Sequence, residues 1–286
     1  MSGTSLVRAL GRLVPRAVRN WLRSPRASLR WLADEVRFRA AASIVEIRPG
    51  WRLQCHPAAY RTAYQAHVTD PEQRRELDAF IDACRPGMVL YDVGAHFGLF
   101  SLAAVHYGGS AARAVAVEPS AFACRMLRLE AGANRVTDRV TVVRAAAGDR
   151  PGTMEMIPVG VIAAGYYSAA TDDYGRRERE TVRVVTVDEL AQELGLWPTH
   201  IKVDVEGAEA SVLAGARAAL ARRPAPWLGI ELHNAMIRAR GQDPGATLEL
   251  LGAMNLEIHD LDGRRIDPAR ALAADLIRVT AHPVGV

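Results

Sequence analysis

Short apolar runs alternate with helix-forming segments along most of this 286-residue chain. The runs that have the length and composition of strands are 89–93, 114–117, 139–144, 201–205, 227–232, 256–261 and 276–280. The segments that predict helices are 70–84, the residues after Gly98, 120–133, those after Thr186, 208–222 and 244–253. Because strands that alternate with helices build parallel βαβ units, the pattern predicts an α/β fold. We expect the last two strands to form an antiparallel edge of the sheet.

Two further regions precede this alternating pattern. Residues 1–40 place arginines at spacings of three and four with apolar residues opposite them, which predicts a basic amphipathic helical extension. Residues 41–84 predict a lead-in hairpin followed by a helix that begins at Asp70. The alternating domain then occupies 85–286, and its segment 150–187 has the short β-like runs and glycines of an inserted hairpin.

The composition is that of an ordinary globular protein, with 49% hydrophobic and 24% charged residues. Three widely spaced cysteines indicate buried thiols in a reducing cytoplasm, and no apolar run reaches the roughly 18 residues of a membrane span. Residues 1–40 carry a charge of +7, which leaves −3 for the rest. This segment could cover the domain, or dock on an acidic partner or on an anionic membrane at its inner face. The slightly acidic remainder argues against nucleic-acid binding.

A glycine turn follows the first strand of the alternating pattern. Gly94 and Gly98 would let the backbone approach a ligand closely. Glu118 ends the second strand, where a carboxylate can accept hydrogen bonds from the two hydroxyls of a ribose. Asp92 ends the first strand and would repel a pyrophosphate but attract an ammonium group. Since the dinucleotide pattern G-x-G-x-x-G is absent, these residues favour S-adenosylmethionine over a nicotinamide or flavin cofactor, and an α/β domain without a cofactor stays open as a third alternative.

Three weaker candidates follow the third strand. Asp149 could accept a hydrogen bond from an adenine amino group, although it could equally be a turn residue in a Gly-Asp-Arg-Pro-Gly segment. Tyr166 and Ser168 could shape a substrate pocket, although an ordinary edge strand would explain them as well.

Polar side chains gather where the fourth and fifth parallel strands end. Asp204 and Glu206 follow the fourth strand, and Glu231 and His233 end the fifth. Because ligands of open α/β sheets bind at the carboxyl ends of the strands, all four are candidates for the site, with Glu206 on the substrate side. Lys202, in the fourth strand, is the only lysine of the chain, which indicates that arginine would not serve at that position.

Several of these motifs together resemble the FkbM-type family of S-adenosylmethionine-dependent methyltransferases. The motifs are Asp92-Val-Gly94-Ala-His-Phe-Gly98, Glu118-Pro119, Ala146-Ala-Gly-Asp149, Val187-Asp188-Glu189-Leu190, the run from Ile201 to Glu209, and Glu231-Leu-His233. The resemblance covers about residues 85–260 and implies the class I methyltransferase fold, which is Rossmann-like. Its seven-stranded, mostly parallel sheet has helices on both faces and an antiparallel last strand. The resemblance also implies S-adenosylmethionine as cofactor and, usually, O-methylation of a sugar, glycolipid, polysaccharide or polyketide-type natural product.

The reaction expected from this resemblance is direct methyl transfer to a hydroxyl that loses its proton during attack. His233 is the candidate base by its ordinary pKa, and Lys202 is the rival if burial lowers its pKa. Asp204 and Glu231, together with Glu206, could instead bind Mg²⁺ and so lower the pKa of the hydroxyl. Alternatively, Glu206 and Glu209 could simply cap the following helix, whose N-terminus favours negative charge. A nitrogen acceptor and a non-catalytic cofactor-binding scaffold are the alternative functions.

Overall fold

The computed structural model describes residues 33–40, 43–159, 166–169 and 180–284, with the backbone only at 157–159 and 166–169. Most of the predicted basic helix in residues 1–40 therefore lies outside the described residues. Among the helices of the described ranges, none is both long and apolar enough to cross a membrane.

Thirteen strands are described, and they form three sheets. They are β1 (Ile44–Arg48), β2 (Trp51–Gln54), β3 (Val89–Val93), β4 (Arg113–Val117), β5 (Val140–Val143), β6 (Ala146–Ala147), β7 (Gly152–Val159), β8 (Tyr166–Ala169), β9 (Glu180–Val185), β10 (His200–Val203), β11 (Trp227–Leu232), β12 (Leu256–His259) and β13 (Ile277–Pro283). The central sheet has the order β12-β13-β11-β10-β3-β4-β5, β1 pairs with β2, and β6-β9-β7-β8 form the third sheet.

Helices connect these strands. The segment α1 consists of the consecutive turns Pro57–Ala59, Tyr60–Tyr64 and Gln65–Thr69, of which the middle one is a π-helix. The others are α2 (Pro71–Ala83), α3 (Leu99–Tyr107), α4 (Ala121–Ala133), α5 (Val187–Leu194), α6 (Glu209–Ala214), α7 (Arg217–Leu220), α8 (Asn234–Ala239), α9 (Gly245–Ala253) and α10 (Pro268–Ala273).

The central sheet confirms the predicted class I methyltransferase architecture. Strands β3, β4, β5, β10 and β11 pair in parallel, whereas β13 is antiparallel to both β11 and β12. Two separate apolar cores cover the sheet, one packed by α1 to α4 and the other by α5, α6, α7, α9 and α10. Because β3 pairs with β4 on one side and with β10 on the other, the strand order reverses between β3 and β10. Ligands of such sheets bind at this switch point.

The lead-in region packs directly on the domain that follows it. The hairpin β1–β2 and helix α2 form as predicted, and the Asp70 carboxylate accepts hydrogen bonds from the first backbone N–H groups of α2. Trp51, Tyr64 and Phe80 are fully buried and share one core with residues of β3, α3 and α4. Helix α1 was not predicted, since its π-turn breaks the 3.6-residue spacing on which a helix prediction depends.

Two predicted elements differ from the structure. The helix expected over 208–222 is divided into α6 and α7 at Gly215, where a Cβ atom would lie 2.0 Å from the carbonyl oxygen of Gly148. The carboxylate of Asp188 accepts hydrogen bonds from the N–H groups of Ala218 and Ala219 and so supplies α7 with a cap. The strand expected to reach residue 205 ends at Val203.

A buried carboxyl group joins the lead-in region to α4. Glu130 accepts hydrogen bonds from the hydroxyl of Tyr64 and, at 3.2 Å, from the N–H of His56, and the same hydroxyl lies 2.6 Å from the carbonyl oxygen of Phe97. Burial raises the pKa of Glu130 to about 8, although both of its hydrogen-bond donors favour the charged form. Tyr64 has a single hydroxyl proton, so it donates to Glu130 when Glu130 is charged and is free to donate to Phe97 when a protonated Glu130 donates to it.

This raised pKa makes stability depend on pH in a defined direction. Between the ordinary glutamate pKa and about 8, the folded chain binds the proton more tightly than the unfolded chain, so stability falls as pH rises through this window. Glu130→Gln keeps both hydrogen bonds without an ionisable group. We expect it to raise Tm by several degrees at pH 8.5 and by clearly less at pH 5, as measured by calorimetry. The exposed Glu249→Gln serves as control, and an equal Tm difference at both pH values would contradict the assignment.

Candidate active site

The glycine turn after β3 packs against the end of β10. Gly94 has a positive φ of 82°, and a Cβ atom at this position would lie 1.7 Å from the carbonyl oxygen of Asp204. Gly98 has a similar φ, but a Cβ atom there would meet Leu127 of α4 at 2.1 Å. Gly94 therefore lets two strand ends converge at the switch point and lines the cavity there, whereas Gly98 serves helix packing and does not approach the cavity.

Asp92 is buried behind the turn and is not on the cavity wall. Its Oδ2 accepts hydrogen bonds from the backbone N–H of Ser101 at 3.0 Å and from the hydroxyl of Ser101 at 2.7 Å. Burial raises the pKa of Asp92, against the opposing charge of Lys202. The structure thus corrects the prediction of a direct contact between Asp92 and a cofactor ammonium, because this carboxylate anchors α3 instead.

Glu118 lies at the end of β4 with its carboxylate held from both sides. Its Oε2 accepts from the N–H of His96 at 2.8 Å, and its Oε1 accepts from the N–H of Ser120 at 2.7 Å. Each oxygen keeps lone-pair capacity for a further donor. Burial raises the pKa of Glu118 to about 7, although both N–H groups favour the charged form. The two N–H groups therefore fix the carboxylate on the cavity wall, where it can accept hydrogen bonds from two hydroxyl groups of a ligand.

A cavity with about 800 Å³ of empty space, its open mouth included, lies over the switch point. Its walls combine backbone from the glycine turn, small apolar side chains and acidic groups. The lining residues are Gly94, His96, Val117, Glu118, Pro119, Ala145, Ala146, Ala147, Met154, Met156, Asp204, Val205, Glu206, Ala208 and Arg240. The apolar part suits an adenine ring, and Glu118 suits a ribose. Asp204 and Glu206 suit a sulfonium cation, so that the residues fit S-adenosylmethionine.

Of the three weaker candidates predicted after the third strand, the structure describes the side chain of Asp149 alone. Asp149 is exposed in the turn after β6, where its carboxylate lies 3.3 Å from the hydroxyl of Ser211 and 3.7 Å from Arg150. It is not among the residues that line the cavity, and its role as an adenine ligand stays a prediction. Tyr166 and Ser168 belong to β8, which pairs with β7 in the predicted insertion, and their side chains lie outside the described residues.

Asp204 is on the cavity wall, and His233 lies directly behind it. Oδ1 of Asp204 is 3.7 Å from Nε2 of His233, while Nδ1 of His233 is 2.8 Å from Oε1 of the fully buried Glu209. Burial opposes the charged imidazole, but the hydrogen bond to Glu209 and the charge of Asp204 outweigh it and raise the pKa of His233. Burial also raises the pKa of Asp204 to about 7, against the opposing charge of Lys202. The pair can therefore gain or lose a proton near neutral pH.

Lys202 is buried and surrounded by carboxylates. Its Nζ lies 3.2 Å from Glu231, 3.3 Å from Asp204 and 3.4 Å from Glu76, and 4.4 Å from the centre of the Phe100 ring. Burial disfavours the ammonium form, but these carboxylates outweigh it and raise the pKa of Lys202 well above its usual range. The condition under which Lys202 would act as a base, a pKa lowered by burial, is therefore not met.

The residues proposed for magnesium do not fit this ion. Asp204, Glu231 and His233 have potential ligand atoms within 4.8 Å of one another. However, Oε1 of Glu231 contacts Lys202, and Oε2 of Glu231 contacts the guanidinium of Arg278 at 2.9 Å. A divalent ion would stand beside two fixed cations, and Mg²⁺ prefers oxygen ligands to an imidazole. The carboxylates already have their counter-ions.

Glu206 reaches the cavity through an unusual backbone conformation. It has a φ of 51°, in the left-handed region, and Gly207 follows with a φ of 98°. Burial raises the pKa of Glu206, which lines the cavity beside Asp204 and Arg240. The prediction that Glu206 faces the substrate side stays a prediction, and the structure is consistent with it.

Sequence reasoning missed several contributors to the site. Glu209 had been recognised only as part of a motif that could cap α6, because nothing local shows that His233 packs against it. Met154, Met156 and Arg240 come from an inserted strand and from the end of α8. Only the alternation of Met154 and Met156 along a strand could have indicated that both face one side.

Comparison with known proteins gives one family match. The profile of the family described as methyltransferase FkbM domain matches residues 92–262. No curated protein sequence matches the chain.

Three solved structures share its general architecture at low sequence identity. The first is methyltransferase FkbM from Methylobacillus flagellatus, with 18% identity, a TM-score of 0.43, and 88% of this chain and 60% of that chain covered. The second is an O-methyltransferase from Bacillus cereus in complex with SAH, with 14% identity, a TM-score of 0.44, and 78% of this chain and 86% of that chain covered. The third is an S-adenosylmethionine-dependent O-methyltransferase from Thermotoga maritima, with 12% identity, a TM-score of 0.41, and 75% of this chain and 66% of that chain covered. The chain thus spans 60% of the length of the first of these.

Proposed function

Since this chain belongs to the methyltransferase FkbM domain family, we propose that it transfers a methyl group from S-adenosylmethionine to a hydroxyl oxygen of a sugar, glycolipid, polysaccharide or polyketide-type natural product. The family match confirms the resemblance identified from the motifs. The observation that carries the oxygen assignment is Asp204, a carboxylate on the wall of the cavity whose pKa lies near neutrality. A hydroxyl needs such a group because its own pKa is far above 7.

The chain's own residues bind and orient the cofactor in this proposal. Glu118 would accept hydrogen bonds from the ribose hydroxyls, and Met154, Met156 and the alanines after β5, which line the same cavity, would hold the adenine. Gly94 brings the backbone close to the ligand at the switch point. S-adenosylmethionine, when bound, supplies the methyl group on a sulfonium that is already electrophilic. The remaining work of the protein is alignment and proton removal.

Asp204 takes the proton of the acceptor hydroxyl, and His233 supports it from behind. Glu209 accepts a hydrogen bond from Nδ1 of His233, which leaves Nε2 turned toward Asp204 at 3.7 Å. Because the pKa of His233 is raised, the imidazolium form is favoured, and its positive charge faces Asp204 and is compensated by Glu209. Lys202 stays an ammonium ion and holds Asp204 at 3.3 Å. His233 thus acts through Asp204, one step removed from the acceptor.

The position of the transferred methyl group tests the proposal. The purified full chain is incubated with S-adenosylmethionine carrying a ¹³C-methyl group and with a panel of hydroxyl acceptors, each matched by its amino analogue. We expect new methyl ether signals in the carbon NMR spectrum and unmodified amino analogues. Transfer to nitrogen alone would overturn the oxygen assignment. Cofactor binding without transfer to any member of a broad panel would instead favour the scaffold alternative.

A further inference from the structure

Four buried side chains beneath the cavity form a closed ring of alternating charge. Nζ of Lys202 is 3.4 Å from Glu76, whose other oxygen accepts a hydrogen bond from Nε of Arg278 at 3.0 Å. Nη2 of Arg278 is 2.9 Å from Oε2 of Glu231, and Oε1 of Glu231 is 3.2 Å from Nζ of Lys202, which closes the ring. None of these side chains is more than 13% exposed. The two positive and two negative charges cancel within the ring.

The ring joins four elements that are far apart in the sequence. Glu76 comes from α2, Lys202 from β10, Glu231 from β11 and Arg278 from β13. Glu76 and Arg278 lie outside residues 92–262, the part of the chain that matches the family. The lead-in helix and the last strand therefore each contribute one charge to the base of the site.

Asp204 meets the ring at two of its members: Lys202, at 3.3 Å, and Glu231, with which its side chain shares a hydrogen bond. Because Glu76 and Glu231 already compensate Lys202 within the ring, the ammonium gives Asp204 less stabilisation than an isolated ion pair would. Without Glu76, the ammonium of Lys202 would be less compensated, and it should stabilise the carboxylate of Asp204 more strongly. Removing Arg278 should have the opposite effect, since Glu76 and Glu231 would then both depend on Lys202.

Other charged groups also face this network. Those that interact electrostatically with Asp204 are Lys202, Glu231, His233, Glu118 and Arg278. Those that face the ring from outside it are Asp92 toward Lys202, His67 at 3.8 Å from Glu76, and Glu72 at 3.8 Å from Arg278. Apart from Arg278 itself, all of these groups are unchanged in the ring variants considered below, so differences between those variants report on the ring.

We propose that Glu76 and Arg278 are positioning residues that set the proton affinity of Asp204 by balancing the charge of Lys202. The inference deepens the proposed function, since it rests on Asp204 as the group that receives the acceptor's proton. It assigns to two residues beyond the matched region a role in the chemistry at the cavity. The two residues should act with opposite sign.

The carboxyl carbon of Asp204 reports this directly, without any methyl acceptor. Full-length protein labelled with [γ-¹³C]aspartate is titrated by NMR, and Asp204 is identified as the signal lost in Asp204→Asn. We expect Glu76→Gln to lower the pKa of Asp204 by about one unit and Arg278→Met to raise it by about one unit, a tenfold change in proton affinity in each direction. Arg75→Gln is the matched control, because it removes an exposed ion pair to Asp262 from the same helix.

The double variant separates charge balance from damage to the fold. Glu76→Gln with Arg278→Met restores a neutral set, so the pKa of Asp204 should return to within about 0.3 units of the wild type. If Arg278→Met does not fold, Arg278→Lys should keep the wild-type value, and Glu76→Gln still tests the sign. Single variants that shift the pKa in the same direction, or leave it unchanged, would overturn the inference. Because no methyl transfer is measured, a failure of the proposed activity would not affect this result.

Discussion

Asp204→Asn should lower kcat for methyl transfer about 10³-fold while changing the affinity for S-adenosylhomocysteine by less than about threefold. The amide keeps the shape of the side chain and an oxygen for Lys202, but it cannot accept the proton of the acceptor hydroxyl. His233→Gln should cost less, because Nε2 of this histidine stands behind Asp204 and not on the cavity wall. Asp275→Asn, at an exposed ion pair with Arg238, is the control.

The same residue should set the pH dependence of the reaction. Only the carboxylate form of Asp204 accepts a proton, so kcat/KM should fall about tenfold per pH unit below its pKa of about 7 and reach a plateau above it. Asp204→Asn should remove this slope along with the activity. If Asp204→Asn keeps most of the activity while His233→Gln abolishes it, the histidine is the base that the sequence predicted.

Glu118→Ala should weaken the binding of S-adenosylhomocysteine about 100-fold, or ~3 kcal/mol, as measured by calorimetry. The substitution removes both acceptors for the ribose and leaves the N–H groups of His96 and Ser120 without their carboxylate. Asp149→Ala is the matched control, because sequence reasoning assigned this residue to the same cofactor whereas the structure places it in an exposed turn. An equal loss in both variants would contradict the site described above.

The pKa of Glu118 adds a second arm to this experiment. The carboxylate accepts hydrogen bonds from hydroxyls, whereas the protonated acid offers fewer acceptors, so proton binding competes with ligand binding. With a pKa of about 7, the affinity of the wild type should be roughly tenfold weaker at pH 6 than at pH 8. In Glu118→Ala the difference between the two pH values should largely disappear. A full tenfold difference in the variant would show that another group is responsible.

The sequence predicted the elements of the fold better than the surroundings of the candidate site residues. Apolar runs and the helix starts at Asp70 and Thr186 depend on neighbours in the chain, and the structure confirms them. Glu118 ends its strand as expected because strand ends are local features too. The state of Lys202, by contrast, depends on Glu76, which is far from it in the sequence. Burial alone would lower the pKa of Lys202, but the carboxylates that surround it in the folded chain raise this pKa instead.

The glycines also show that contacts between distant parts of the chain cannot be read from the sequence. The sequence predicted that Gly94 and Gly98 let the backbone approach a ligand closely, and the structure shows that a Cβ atom would not fit at either position. The neighbouring residues in the sequence do not indicate which atoms lie close to each glycine. At Gly94 it is the backbone of Asp204, and at Gly98 it is the side chain of Leu127. The divided helix at Gly215 has a similar origin, because the close atom belongs to Gly148. Residues 1–40, and their docking to a membrane or partner, stay a prediction.

The pairing of β3 with β10 also has a consequence for how the chain folds. The two strands lie side by side at the switch point, but they are far apart in the sequence. Val89, the first residue of β3, is hydrogen-bonded to Thr199, which directly precedes β10, and 110 positions separate the two residues. Contacts between such distant segments close a long loop and slow folding relative to helices and hairpins. The lead-in hairpin, β3 and β4 are synthesised long before β10. The cofactor site is therefore completed late, and a nascent chain gains cofactor affinity only after its second half has emerged.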